Sequence, residues 1–188
     1  MIYLIIGPSC AGKTSFTKNS FIKGQELTEH KDLIKYTECD SCILFGSYLQ
    51  EKRMLGTDTI PRNFTNRIPE QLKKFIDAGV TKDIILDGNR IAFKTVFAKI
   101  LEAAPKDQIK LFCITTSPEI SYERNLQNNT KSSFSHLKGV RTRTLNVYFE
   151  YCDKMNGELI DTSLVTDFSS FGIDNLPKQP ESFDLWAT

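Results

Sequence analysis

Lys13 and Thr14 close the stretch Gly7-Pro8-Ser9-Cys10-Ala11-Gly12-Lys13-Thr14, which has the G-x-x-x-x-G-K-[ST] spacing of a loop that cradles phosphates. The chemistry needs these residue types. Small residues let successive backbone N–H groups turn toward one anion, and the positive end of a following helix adds to their field. A lysine at the seventh position reaches the β- and γ-phosphates of a nucleotide, and the next hydroxyl ligates Mg²⁺. The expected nucleotide contacts are therefore Gly7, Ser9, Ala11, Gly12, Lys13, Thr14 and Ser15, with Thr14 on the metal. The flanks agree. Ile2-Tyr3-Leu4-Ile5-Ile6 reads as a buried strand, and Ser15 to Lys23 as a helix stopped by Gly24. The spacing predicts binding of a nucleoside triphosphate, taken here as ATP with Mg²⁺.

Other residues could act on a bound triphosphate. Asp87 ends the apolar run Asp83-Ile84-Ile85-Leu86 and precedes Gly88-Asn89-Arg90. A carboxylate there holds Mg²⁺ or positions a nucleophile, and Arg90 would grip a substrate phosphate. Lys138-Gly139-Val140-Arg141-Thr142-Arg143 is the strongest basic cluster. Arg141 and Arg143 would neutralise the transferring group as a lid closes. Two residues apart, they would face the same ligand from a loop-to-helix junction, not from one regular helix. Asp58, in Gly56-Thr57-Asp58, competes with Asp87 as acceptor of a substrate hydroxyl proton, and the residues leave that choice open. Phe45, Tyr48 and Phe64 surround this segment, and Tyr48 is taken as a substrate contact. With thirteen phenylalanines in the chain, packing is the ordinary role of any one of them. Arg124 is a secondary candidate, and His30 and His136 receive no role.

These residues need a scaffold, and alternating strands and helices supply one. Further strands are expected at 83–87 and 109–114. Helices are expected at 69–78, at 93–103, from Pro118 (capped by Ser117) to about Gln127, and from Val140 to Met155. That alternation predicts an α/β domain with a central parallel sheet and helices on both faces, its site at the carboxyl ends of the strands. Two strand-like runs, 33–37 and 42–45, break the rhythm and read as a hairpin inserted within residues 30–66. The polar stretch 128–139 reads as a mobile loop, giving a lid over 128–143. The tail 174–188 reads as extended, with Trp186 packing back. The 188 residues favour a single domain. With 24 basic and 23 acidic side chains, no bulk affinity for nucleic acid is written into the composition. No apolar run is long enough to span a bilayer, and the first apolar stretch runs straight into the glycine-rich loop, unlike a signal peptide. Five cysteines, an odd number, suit a reducing cytoplasm. The single Cys39-x-x-Cys42 pair lacks further ligands nearby, so hairpin thiols are the expected reading.

Taken together, these pieces resemble the nucleoside and nucleotide kinase superfamily of phosphate-loop proteins. More narrowly, they resemble phage-encoded kinases that phosphorylate 5-hydroxymethyl-deoxyuridine in DNA. The residues that carry the likeness are the loop, Gly46-Ser47-Tyr48 with Gly56-Thr57-Asp58, Leu86-Asp87-Gly88-Asn89-Arg90, and Lys138 to Arg143 with Asn146. The resemblance implies a three-layer phosphate-loop fold, ATP and Mg²⁺ on Gly7, Gly12, Lys13 and Thr14, and an acceptor hydroxyl oriented by Asp87 or Asp58. It also implies a lid bearing Arg141 and Arg143, modified DNA as acceptor and, for a phage-encoded enzyme, residence in the host cytoplasm. The hairpin departs from the pattern of nucleoside monophosphate kinases and suits a bulkier acceptor, such as a base extruded from DNA. Two alternatives stay open: a kinase of free deoxynucleosides or their monophosphates, and a nucleotide-dependent switch that transfers nothing. Guanine specificity is disfavoured, because no Asn-Lys-x-Asp signature is present.

Overall fold

A computed structural model describes residues 1–49, 55–128 and 132–177. The chain builds one seven-stranded sheet in the order β2-β3-β4-β5-β1-β6-β7. Its centre is formed by the most apolar runs. β1 (Ile2–Ile6) lies parallel between β5 (Asp83–Asp87) and β6 (Ile109–Thr115). Leu4, Ile5 and Ile6 are all fully buried, as strands covered on both faces require. The alternation of side chains sorts them into two cores. Leu4, Leu86 and Leu111 meet helices α2 (Arg67–Asp77), α3 (Lys94–Ala103) and α5 (Phe134–Tyr151). Ile5, Ile85 and Phe112 meet Phe16 of α1 (Lys13–Thr17), Phe21 and Phe171 on the opposite face. The result is an α/β architecture compatible with a phosphate-loop-like fold.

The hairpin is not a separate insertion. β4 (Cys42–Phe45) is buried at every position and pairs parallel with β5, so it is a strand of the main sheet. β3 (Lys35–Glu38) and β2 (Thr28–Lys31) continue the sheet antiparallel to that side. β2 carries Thr28, Glu29, His30 and Lys31, a polar and charged edge of the kind that discourages pairing with other chains. On the other side β7 (Glu158–Asp161) pairs parallel with β6.

The expected loop over 128–139 is corrected from residue 134 onward, while residues 129–131 lie outside the described residues. Ser133 accepts the His136 N–H at 3.3 Å and starts α5 at Phe134, six residues earlier than the periodicity suggested. Leu137 is fully buried, and Phe134 meets Tyr122 of α4 (Pro118–Gln127) edge to face. Two apolar anchors thus fix a turn whose other residues look like loop. Residues 134–143 are therefore helix. After α1 the chain makes a wide π-helical turn over Lys18–Ile22 and leaves it through Lys23 and Gly24, both left-handed. The expectation for Trp186 lies outside the described residues.

Candidate functional site

The loop Gly7–Thr14 joins β1 to α1, and its shape is set by where its carbonyls go. Pro8 O accepts Lys13 Nζ (2.8 Å), Ser9 O accepts Ser121 Oγ (2.7 Å) and Cys10 O accepts Arg124 Nη1 (3.4 Å). Ala11 O accepts Thr162 Oγ1 (3.0 Å), and Gly12 O accepts the Phe16 N–H (2.9 Å). Every carbonyl from Pro8 to Gly12 is thus engaged. Fixing these carbonyls fixes the orientation of each peptide plane in the loop. Gly12 sits at φ 95°, and a Cβ there would lie 2.3 Å from the Phe168 ring, so no other residue fits.

A cavity of about 840 Å³ opens between this loop, α4 and the segment that follows β7. Cys10, Gly12, Lys13, Thr14 and Ser15 line one side, and Glu123, Arg124, Val165 and Phe168 the other. The volume is in the range of ligand sites. Arg124 is built into its wall. Its Nη2 bonds Thr162 O (2.8 Å) and Val165 O (2.7 Å), and its guanidinium lies 4.9 Å from the Phe168 ring centre. No sequence pattern singles out Phe168, and Arg124 stands only as a secondary candidate. The segment 162–168 has no motif; only its place after a strand end could have pointed to it.

Asp87 ends β5 and is almost wholly buried. Its Oδ2 accepts the Tyr48 hydroxyl (2.8 Å) and the Thr17 hydroxyl (3.1 Å). Burial pushes its carboxyl up to about 6, against the opposing pull of the Lys13 charge and the Tyr48 hydrogen bond. Tyr48 itself is buried, its hydroxyl held against Asp87, so its ring is not open to a stacking base. Phe45 lies in the core, and Phe64 carries Arg67 over its ring.

Asp58 sits beside the next turn. Its Oδ1 accepts the N–H groups of Asn89 (3.0 Å) and Arg90 (3.2 Å), so it caps the turn that leaves Asp87. A Cβ on Gly88 would meet Thr57 Oγ1 at 2.4 Å and Asp58 Cγ at 3.1 Å. This close approach requires glycine and holds the two carboxylates in one neighbourhood. Asn89 Nδ2 reaches Ser9 Oγ at 3.5 Å, while its Oδ1 is buried without a hydrogen-bond partner among the described residues. Arg90 is half-buried.

Arg141 and Arg143 share one helix and diverge. Arg141 Nε donates to Thr116 O (3.0 Å) at the end of β6. The Arg143 guanidinium lies 4.4 Å from the centre of the Phe93 ring; burial lowers its pKa, against the opposing pull of the Asp58 charge. The fold therefore brings Lys13, Thr14, Asp87, Tyr48 and Asp58 to one end of the sheet and sends the two arginines to different neighbours.

For Mg²⁺, Thr14 lines the cavity, and Asp87 Oδ1 has no hydrogen-bond partner among the described residues. No group of three or more His, Cys, Asp or Glu side chains converges among the described residues. Mg²⁺ held with phosphates takes only one or two protein carboxylates, so the pair fits that donor set. Cys39 and Cys42 place their sulfurs 3.0 Å apart in the β3–β4 turn, both buried. No helix among the described residues is long and apolar enough to cross a membrane. No known protein-family model matches the chain, and no curated protein matches it in sequence.

Proposed function

We propose that the chain is a Mg²⁺- and ATP-dependent phosphotransferase that moves the γ-phosphate to a hydroxyl, with 5-hydroxymethyluracil in DNA as the leading acceptor. The observation that carries the transfer reading is the loop whose carbonyls are all engaged, with Lys13 inside it and Thr14 facing a nucleotide-sized cavity. The DNA acceptor rests on the resemblance of the short motifs around Tyr48, Asp58, Asp87, Arg90, Arg141 and Arg143.

On this reading Lys13 exchanges Pro8 O for phosphate oxygens, and the loop N–H groups hold the remaining charge. Thr14 and Asp87 would hold Mg²⁺, which when bound neutralises charge building on the phosphates. The acceptor oxygen forms a bond to the γ-phosphorus as the bond from that phosphorus to the β–γ bridging oxygen breaks, and ADP leaves. Asp58 takes the hydroxyl proton, because Asp87 cannot both ligate the metal and act as base. Arg124 and Phe168 would face the nucleotide base. Arg90 would serve the acceptor.

The test is transfer of labelled γ-phosphate from ATP to DNA containing 5-hydroxymethyluracil, to unmodified DNA, and to free deoxynucleosides and their monophosphates. Label confined to modified DNA, and at least a hundredfold lower with Lys13→Ala, is the expected result. Label only in a free nucleotide would replace the acceptor; ATP binding without label anywhere would replace transfer by switching.

A further inference from the structure

A second cavity, of about 690 Å³, lies between the start of α3 and the middle of α5. Phe93 and Lys94 form one wall; Lys138, Gly139, Thr142, Arg143 and Asn146 recur at helical spacing along the other. Three observations make it a site in waiting for an anion.

The first is charge. Lys94, Lys138 and Arg143 are cationic; Lys94 pairs with Glu150 at 2.5 Å, and among the described residues Lys138 forms no ion pair. Arg143 has no ion-pair partner among the described residues, and its Nε is buried without a hydrogen bond. A half-buried guanidinium in that condition gains from an oxyanion more than a solvated one does.

The second is Gly139. It lies inside an eighteen-residue helix with no positive φ to require glycine. A Cβ there would meet nothing within 4 Å. Glycine in a helix interior is unfavourable, and no packing in the structure calls for it. What glycine provides here is a groove floor of bare backbone.

The third is position. Arg143, in the cavity wall, feels the charge of Asp58, which sits against Gly88 at the end of β5, so one residue links the cavity to the turn that carries the candidate base. Phe93, 45% exposed, carries the Arg143 guanidinium over one face of its ring and leaves the rest of the ring to solvent. Cations beside an exposed ring suit a nucleotide better than a simple anion.

We propose that this cavity binds a phosphate group of the acceptor, next to the hydroxyl that is phosphorylated. The inference rests on the phosphotransferase reading and makes the acceptor a phosphate-bearing nucleotide, not a free nucleoside. Arg143 and Lys138 hold the phosphate oxygens and Asn146 donates from its amide, over the bare backbone at Gly139. A mononucleotide 5′-phosphate and a strand phosphodiester present the same oxygens.

The test is binding without ATP, followed by amide chemical shifts. The probes are thymidine, thymidine 5′-monophosphate and a thymidine trinucleotide. The proteins are the wild type, Gly139→Leu and Lys138→Glu. A phosphorylated probe should bind at least tenfold more tightly than thymidine and move the amides of Lys138, Gly139 and Asn146. Both substitutions should weaken it at least tenfold, while Gly139→Leu melts no lower than wild type. A tighter trinucleotide assigns the phosphate to a strand, and a tighter monophosphate to a free nucleotide. Equal binding of thymidine, unchanged binding by Gly139→Leu, or shifts at Gly12 and Lys13 alone would overturn the site. Binding here without any transfer to an acceptor would sink the kinase reading and leave the site standing.

Discussion

At the scale of residues, Asp87 is held at a cost to the fold. Its folded pKa of about 6 stands above the ordinary 3.8, so burial disfavours the charged form. The sign follows by linkage. Between about pH 4 and 6 the folded state binds more protons than the unfolded one, so rising pH removes stability, on the order of 3 kcal/mol by pH 7. Asp87→Asn should therefore melt several degrees higher than wild type at pH 7.5 without metal, and the gain should vanish near pH 4. A variant that melts lower at pH 7.5 would show that the carboxylate stabilises the fold. Tyr48 works in the opposite sense, since its hydroxyl favours the charged carboxylate. Tyr48→Phe should lose about 1–3 kcal/mol in denaturant at pH 8, and clearly less at pH 4, where the carboxyl is neutral. An equal loss at both values would assign the effect to packing.

At the scale of elements, the loop Gly7–Thr14 depends on α4 and on the segment after β7. Arg124 ties Cys10 O, Thr162 O and Val165 O together. Arg124→Leu should lower unfolding free energy by about 2–4 kcal/mol and ATP affinity at least tenfold. Titration of ATP below the melting transition separates the two effects, and unchanged affinity would detach Arg124 from the nucleotide.

The same elements show what a sequence displays and what it conceals. β1, β5 and β6 were legible because strands buried on both faces are continuous apolar runs, and α4 because Ser117-Pro118 is a helix start. β7, Glu158-Leu159-Ile160-Asp161, has two apolar residues between charges, too few for a period to register. β2 is polar because it is an edge. The first turns of α5 were hidden because Leu137 and Phe134 alone anchor them, among residues that face solvent. Of the candidate site, the loop and Asp87 stand out in the sequence through motif and strand end. Phe168 and the cavity over Gly139 arise from pairings between distant segments, which local patterning does not record.

At the scale of the whole molecule, hydrogen bonding is continuous from β2 to β7, and the hairpin shares a strand boundary with β5. Thr37 of β3 reinforces that union, donating to Gly46 O at 2.9 Å and accepting the Tyr48 N–H at 3.1 Å. Calorimetry should accordingly show one transition, with equal calorimetric and van't Hoff enthalpies. Two resolved peaks would show that the β2–β3 ribbon melts on its own.

The segment after β7 also closes over the π-helical turn that follows α1. Asn19 Nδ2 donates to Phe168 O and Phe171 O, both at 3.0 Å, across separations of 149 and 152 residues. Ser20 Oγ accepts the Ile173 N–H at 2.8 Å. On a ribosome adding roughly 5–20 residues per second, the glycine-rich loop emerges on the order of ten seconds before its cover. On the proposed reading, nascent chains would capture nucleotide only once residues near 170 have cleared the exit tunnel. A message broken shortly before that point would yield a product with its lysine intact and nothing to close over it.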